Sequence, residues 1–168
     1  MVLFLGAWPQ PVGASDFSQH FSVLSRPRPA PIFTFKDESG QSLTLKDFKG
    51  RFVLLNLWAT WCASCVSEMP SLEALQRHFD PSRLTVVALS VDRNGLAAVQ
   101  SFYRRHDISG LTPYLDPESL SINALDAHFL PTTLLIDAQG REVGRIKGSV
   151  DWSAPEVIKY IEERIGER

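Results

Sequence analysis

Cys62 and Cys65 are the two cysteines of a 168-residue chain, and they stand three residues apart. A dithiol at this spacing can cycle between two thiols and one disulfide, giving up and taking back two electrons. The loop such a disulfide closes is too short to staple a fold, so its value is redox rather than structural. A structural zinc ion needs four ligands, and no second CxxC or paired histidine motif supplies the other two. His20, His78, His106 and His128 are scattered singly and read as surface or hydrogen-bonded histidines. Neither a metal nor a cofactor is expected.

The flanking residues say how the pair is held. Phe52 to Trp58 is an apolar run preceded by Gly50; it is too short for a helix and predicts a buried strand. Val66 to Phe79 is periodic, with Leu72, Leu75 and Phe79 on one face, and predicts a helix. Trp61-Cys62-Ala63-Ser64-Cys65 therefore falls at a strand-to-helix junction. The first backbone N–H groups of a helix lack intrahelical partners and carry the positive end of its dipole, so a thiolate at Cys62 is stabilised there. Such surroundings lower a thiol pKa from about 8.5 into the range of roughly 3.5 to 7.5. Cys65, one turn further on, is close enough to close the disulfide.

The length fits one domain, and 44% hydrophobic residues with mixed charge fit a globular chain with a real core. A net charge of −2 with no basic cluster argues against a nucleic-acid partner. Residues 1–30 are expected to be a signal-peptide remnant and a proline-rich linker, and residues 31–168 the domain. Val2 to Trp8 is apolar and Val12-Gly13-Ala14 satisfies a small-x-small cleavage rule, although no positive segment precedes it and it is too short to span a bilayer. Ser25-Arg-Pro-Arg-Pro-Ala-Pro31 predicts a semi-rigid extended linker.

Ile32 to Phe35 and Gln41 to Leu45 alternate across the turn signal Asp37-Glu-Ser-Gly40 and predict an N-terminal hairpin. Leu84 to Val91 predicts a central parallel strand, and Asn94 can cap a following helix carrying Leu96, Val99 and Tyr103 on one face. Leu111 to Pro117 predicts a short extended piece and Glu118 to His128 a helical one. Thr132 to Ile136 and Glu142 to Ile146 predict a second hairpin across Asp137-Ala-Gln-Gly140. Ser153-Ala-Pro-Glu156 has the form of a capping box before a last helix with Val157, Ile158, Ile161 and Ile165 on its buried face. The order gives an α/β architecture, a mixed central sheet flanked by helices.

Trp58-Ala-Thr-Trp-Cys-Ala-Ser-Cys65, with Val53-Leu-Leu-Asn-Leu57 before it, resembles the active-site motif of the thioredoxin superfamily. Together with Pro70 and the segment Phe129-Leu-Pro-Thr-Thr-Leu-Leu-Ile-Asp137, it is similar to the TlpA/ResA-type (CcmG/DsbE-like) branch of extracytoplasmic thiol-disulfide oxidoreductases. The resemblance covers roughly Pro31 to Ile165. It implies a thioredoxin-like fold in which residues 111–128 form the branch's central βα insertion and Leu130-Pro131 a cis peptide beside the first cysteine. Cys62 would attack a substrate disulfide, Cys65 would resolve it, and Leu130 and Pro131 would dock the partner chain. Trp61 suits either that apolar docking surface or core packing; Trp58 is expected to be buried.

Where thioredoxin places a buried carboxylate before its motif, this chain has Asn56, which cannot take a proton from Cys65. Glu68 lies three residues after Cys65 and four before Leu72, and it matches a glutamate of the TlpA/ResA branch. It is expected to sit partly buried with a raised pKa, tuning Cys65 and accepting its proton; the alternative is a first-turn glutamate that only complements the helix dipole.

Ala63-Ser64 places no charge between the cysteines, which leans toward a reductant of substrate disulfides. The family implies exported substrates such as apocytochrome c or copper-assembly proteins, re-reduction by a membrane thiol-disulfide reductant, and a periplasmic or extracytoplasmic location with an anchor preceding the chain. A monomer is expected. A Cu(I) metallochaperone using the same pair, a thiol oxidase of the same fold, a peroxidase of related fold and a redox-inert binding domain stay open as alternatives. Met1 and Met69 are the only methionines, which is thin support for copper handling.

Overall fold

The computed structural model describes Phe17 and residues 20–166. The apolar leader Val2 to Trp8 and the expected cleavage site Val12-Gly13-Ala14 lie outside the described residues. In chain order the elements are β1 (Ser22–Pro29), β2 (Phe35–Asp37), β3 (Ser42–Leu43), a 3-10 turn (Leu45–Phe48), β4 (Phe52–Trp58), α1 (Ala63–His78), β5 (Leu84–Ser90), α2 (Gly95–Arg105), β6 (Tyr114–Leu115), α3 (Leu120–Ala124), β7 (Thr132–Ile136), β8 (Arg141–Lys147) and α4 (Pro155–Gly166). The strands form one mixed sheet in the order β1-β8-β7-β4-β5-β6-β2-β3. β4 pairs parallel with β5 and antiparallel with β7. This is the expected thioredoxin-like α/β arrangement, with the N-terminal hairpin and the inserted β6–α3 unit in place.

β4 is buried at all seven positions because both faces of the sheet are covered, the condition under which a strand reads as a continuous apolar run. Side chains alternate across it. Phe52, Leu54 and Trp58 enter the core formed with α1, α2 and α4, whereas Val53, Leu55 and Leu57 enter a second core with the hairpin, the 3-10 turn and the segment after α3. Asn56 has the parity of Leu54 and Trp58, so its side chain points toward α1. Thr133 shares the parity of Leu135 on β7 and is the Cα partner of Asn56 across the β4–β7 ladder. Two polar residues thus meet in the apolar layer under the helix that carries the cysteines.

Four local expectations are corrected. Ser22–Pro29 is extended as the proline content suggests, but it is not a free linker: it is the edge strand β1, antiparallel to β8 with an irregularity between Val23 and Arg28. Prolines are tolerated there because an edge strand has one unpaired side. Arg28 also bonds the fully buried Glu142 at 3.1 and 3.0 Å, and Arg145 bonds the same carboxylate from β8 itself. The predicted helix Glu118 to His128 shrinks to α3, since the Asp116 carboxylate takes the N–H groups of Leu120 and Ser121 and Asp126 adopts a positive φ of 51° just past its end.

Asn94 precedes α2 without a side-chain capping bond. The Ser153 capping box does not form either. The backbone N–H and hydroxyl of Ser153 both engage Asp151, and α4 starts at Pro155. Among the described residues no helix is long and apolar enough to cross a membrane.

Candidate active site

β4 ends at Trp58 and α1 begins at Ala63, so four residues carry the chain from the sheet to the helix. That crossing is fixed at several points. Val91 N–H donates to the Trp58 carbonyl at 3.0 Å and Cys62 N–H to the Ala59 carbonyl at 3.1 Å. Asp92, just past the end of β5, accepts from the Thr60 backbone N–H at 2.9 Å and from the Thr60 hydroxyl at 2.7 Å, while Ser90 Oγ donates to the same carboxylate at 2.8 Å. Nothing in the sequence ties Thr60 to a residue 32 positions away, and this anchor was not legible there.

Cys62 occupies the N-cap position of α1 and its Sγ accepts from Cys65 N–H at 3.3 Å. The sulfur therefore receives one of the N–H groups that a helix start leaves without a partner, the favourable setting for a thiolate. Cys62 and Cys65 form a disulfide, with Cα atoms 5.2 Å apart. Their exposures differ in kind: Cys62 retains 9% of its surface and Cys65 none. Of the two cysteines, only Cys62 keeps any surface open to the outside.

Leu130-Pro131 is a cis peptide. The pairing of Leu57 with Thr132 sets it beside the end of β4 from which the cysteine segment emerges. Gly148 N–H donates to the Pro131 carbonyl at 2.9 Å, and Thr132 Oγ1 to the Phe129 carbonyl at 2.6 Å, bracketing the segment. Pro131 is buried, Leu130 is half-buried against the core, and Phe129 projects with 71% of its surface open. Trp61 is 69% exposed, so of its two expected settings the open surface is the one it occupies. Trp58 is fully buried between Phe102 and Tyr103, as expected.

Glu68 is more deeply buried than expected, with 2% of its surface exposed. Asn56 Nδ2 donates to Oε1 at 2.6 Å; Val150 N–H and Trp152 Nε1 donate to Oε2 at 2.9 and 3.1 Å. Asn56 Nδ2 also reaches Thr133 Oγ1 at 2.9 Å. Burial raises the Glu68 pKa from 4.5 to about 7, and the three donors, which favour the ionised form, hold it from going further. Cys65 lies one turn before it on the same helix, a spacing that brings Cβ atoms within about 5–6 Å. Glu68 is therefore not a solvated first-turn glutamate. Val150 and Trp152 come from the β8–α4 loop, 82 and 84 residues along the chain, and sequence reasoning did not find them.

Together these features define a thioredoxin-like protein with a dithiol/disulfide pair at the head of a helix, a cis-proline segment alongside and a buried carboxyl group one helical turn after the second cysteine. The AhpC/TSA family profile matches residues 27–142. A thiol-disulfide oxidoreductase ResA of Bacillus cereus is 35% identical over 140 residues, covering 82% of this chain and 80% of the relative. The ResA of Bacillus subtilis is 32% identical over 127 residues, covering 76% and 70%. Among solved structures, a Chlorobium tepidum protein provisionally assigned as the thiol:disulfide interchange protein DsbE superimposes with a TM-score of 0.69 at 25% identity, covering 84% of this chain and 96% of that one. The chain belongs to the AhpC/TSA family, among its ResA-like thiol-disulfide oxidoreductases.

Proposed function

We propose that this oxidoreductase works as a reductant of disulfides in exported proteins, with Cys62 as nucleophile, Cys65 as resolving thiol and Glu68 as proton acceptor. The observation that carries the reading is the pairing of one reachable sulfur with one buried sulfur that has a carboxyl group a turn behind it. In the reduced protein the Cys62 thiolate attacks one sulfur of the substrate disulfide, forming a mixed disulfide and releasing the other sulfur as a thiolate that takes a proton. Glu68 then removes the Cys65 proton. The Cys65 thiolate attacks Cys62 Sγ, the Cys62–Cys65 disulfide forms, and the second substrate thiol leaves. Two electrons pass from the pair to the substrate, and a membrane thiol-disulfide reductant restores the dithiol.

A carboxyl group with a pKa of about 7 suits this task, since it can both accept and return a proton near neutrality. Trp61, Phe129, Leu130 and Pro131 supply the docking strip for the substrate chain. The uncharged Ala63-Ser64 dipeptide supports the reducing direction, because no charge sits between the cysteines to over-stabilise the thiolate. Resemblance to the TlpA/ResA branch supports an extracytoplasmic setting and points to apocytochrome c or copper-assembly proteins as clients.

The test is a Cys65→Ser trap. Reduced trap protein is mixed with an oxidised apocytochrome c peptide carrying its haem-binding cysteines and, separately, with an oxidised copper-assembly domain. Accumulation of a mixed disulfide through Cys62 with either supports the assignment. Failure with both, while a generic protein disulfide such as insulin is still captured, removes these clients and leaves the chemistry.

A further inference from the structure

Trp152 is fully buried in the loop between β8 and α4, edge-on to Phe17 with ring centroids 5.9 Å apart. Its position is set on both sides of the ring. The Trp152 backbone N–H donates to Ser71 Oγ at 3.1 Å, and Ser71 Oγ reaches the Val150 carbonyl at 3.3 Å, so the loop is fastened to α1 one turn beyond Glu68. The indole Nε1 then meets Glu68 Oε2 at 3.1 Å. Packing alone does not force such a bond. Trp58, equally buried in the same core, leaves its Nε1 without a hydrogen-bond partner.

We propose that Trp152 is a positioning residue for Glu68: its indole N–H fixes one carboxylate oxygen and stabilises the ionised form, so that the group faces Cys65 ready to take a proton. The proposal rests on the reading of Glu68 as the proton acceptor. The groups bonded to this carboxyl are Asn56 from β4, with Thr133 of β7 behind it, and Val150 and Trp152 from the β8–α4 loop; Cys65 stands one helical turn before it on α1. Of these, only Cys65 titrates, and only once the disulfide is reduced. Asp151, the charged residue of the loop, is exposed and engaged with Ser153. With burial pushing the carboxyl toward its neutral form and three donors resisting, loss of one donor must move the balance upward.

The experiment follows the side-chain carboxyl carbon of Glu68 by NMR from pH 4 to 9 in the oxidised protein, for wild type and Trp152→Phe, alongside the pH profile of disulfide exchange for the reduced proteins. A hydrogen bond to a charged group corresponds to about one pKa unit or more. Trp152→Phe is expected to raise the Glu68 midpoint by about that amount and to move the matching limb of the exchange profile the same way, while Trp58→Phe moves neither. An unchanged or lowered midpoint overturns the proposal. If Trp152→Phe does not fold, the Trp152 indole N–H resonance of the wild type decides: it must titrate with the Glu68 midpoint, and a flat resonance overturns the proposal. Glu68→Gln separates the two readings. If it leaves the exchange profile unchanged, Glu68 is not the proton acceptor and the proposal fails as a statement about catalysis, even where the carboxyl titration still reports the indole. If it alters the profile and Trp152→Phe does not, Glu68 stands and Trp152 falls.

Discussion

Asn56 Nδ2 lies 2.6 Å from Glu68 Oε1, joining the strand that leads into the cysteine segment to the helix that carries it. The buried carboxyl stands on the helix, and the strand contributes a neutral amide that holds it. Asn56 Oδ1 takes no donor, so the amide serves as donor to Glu68 and Thr133 and as acceptor to nothing, an arrangement suited to a carboxylate.

This placement makes stability depend on pH in an unusual direction. Glu68 titrates at about 7 in the fold against 4.5 as an ordinary glutamate, so between those values the folded protein binds more protons than the unfolded chain. Its contribution is fully present below about pH 4.5 and is lost as pH rises through 7, a change of about 3 kcal/mol. Urea unfolding of the oxidised protein should show this decline, and Glu68→Gln should flatten it. Glu142, whose two arginines hold its pKa below the usual value, acts in the opposite sense at lower pH: its contribution is lost as pH falls below about 4.5.

In exchange kinetics, Glu68→Gln should slow resolution of the mixed disulfide by roughly 10²- to 10⁴-fold, the usual worth of a positioned base, with little effect on the first attack by Cys62. Stopped-flow thiol release in single turnover separates the two steps. Equal rates for variant and wild type would mean that the Cys65 proton leaves by another route.

Trp61 is expected to matter to protein substrates and not to the fold. Being 69% exposed, it contributes little core burial, so Trp61→Ala should leave the unfolding midpoint within experimental error. An aromatic anchor at a docking surface is commonly worth more than 1 kcal/mol, so KM for a protein disulfide should rise about tenfold while the rate with a small disulfide such as oxidised glutathione is retained.

The edge strand gives a separate prediction. Glu142→Gln leaves Arg145, whose side chain is 14% exposed, without its counter-charge and should cost roughly 3–5 kcal/mol in urea unfolding. Arg28 is 58% exposed, so Arg28→Ala should cost about 1 kcal/mol or less. It should also release β1, seen as faster proteolysis within residues 22–29 with the rest of the domain intact.

The sequence carried the strands and helices that bury a regular face. β4, β5, β7 and α1 fall within a few residues of their hydrophobic patterns, because apolar runs of strand length and helical spacing have few other uses. The prolines of Ser25 to Pro31 exclude a helix and predict an extended linker; that the stretch is part of the edge strand β1 follows only from its pairing with β8, next to the arginines on Glu142. Glu68 could be picked out by its spacing from Cys65 and Leu72. Its donors could not, since Val150 and Trp152 approach it from 82 and 84 residues away. The Asp92–Thr60 anchor was hidden for the same reason: a short polar loop shows no period, and its partner is chosen by the sheet.

The reducing direction is tested most directly by the reduction potential of the Cys62–Cys65 pair, measured by equilibrating the folded domain in dithiothreitol or glutathione redox buffers. A dedicated reductant should give a strongly negative value, near thioredoxin's roughly −270 mV. A value near roughly −120 mV, in the range of a strong oxidant, would contradict it and reverse the flow of electrons through the same two sulfurs.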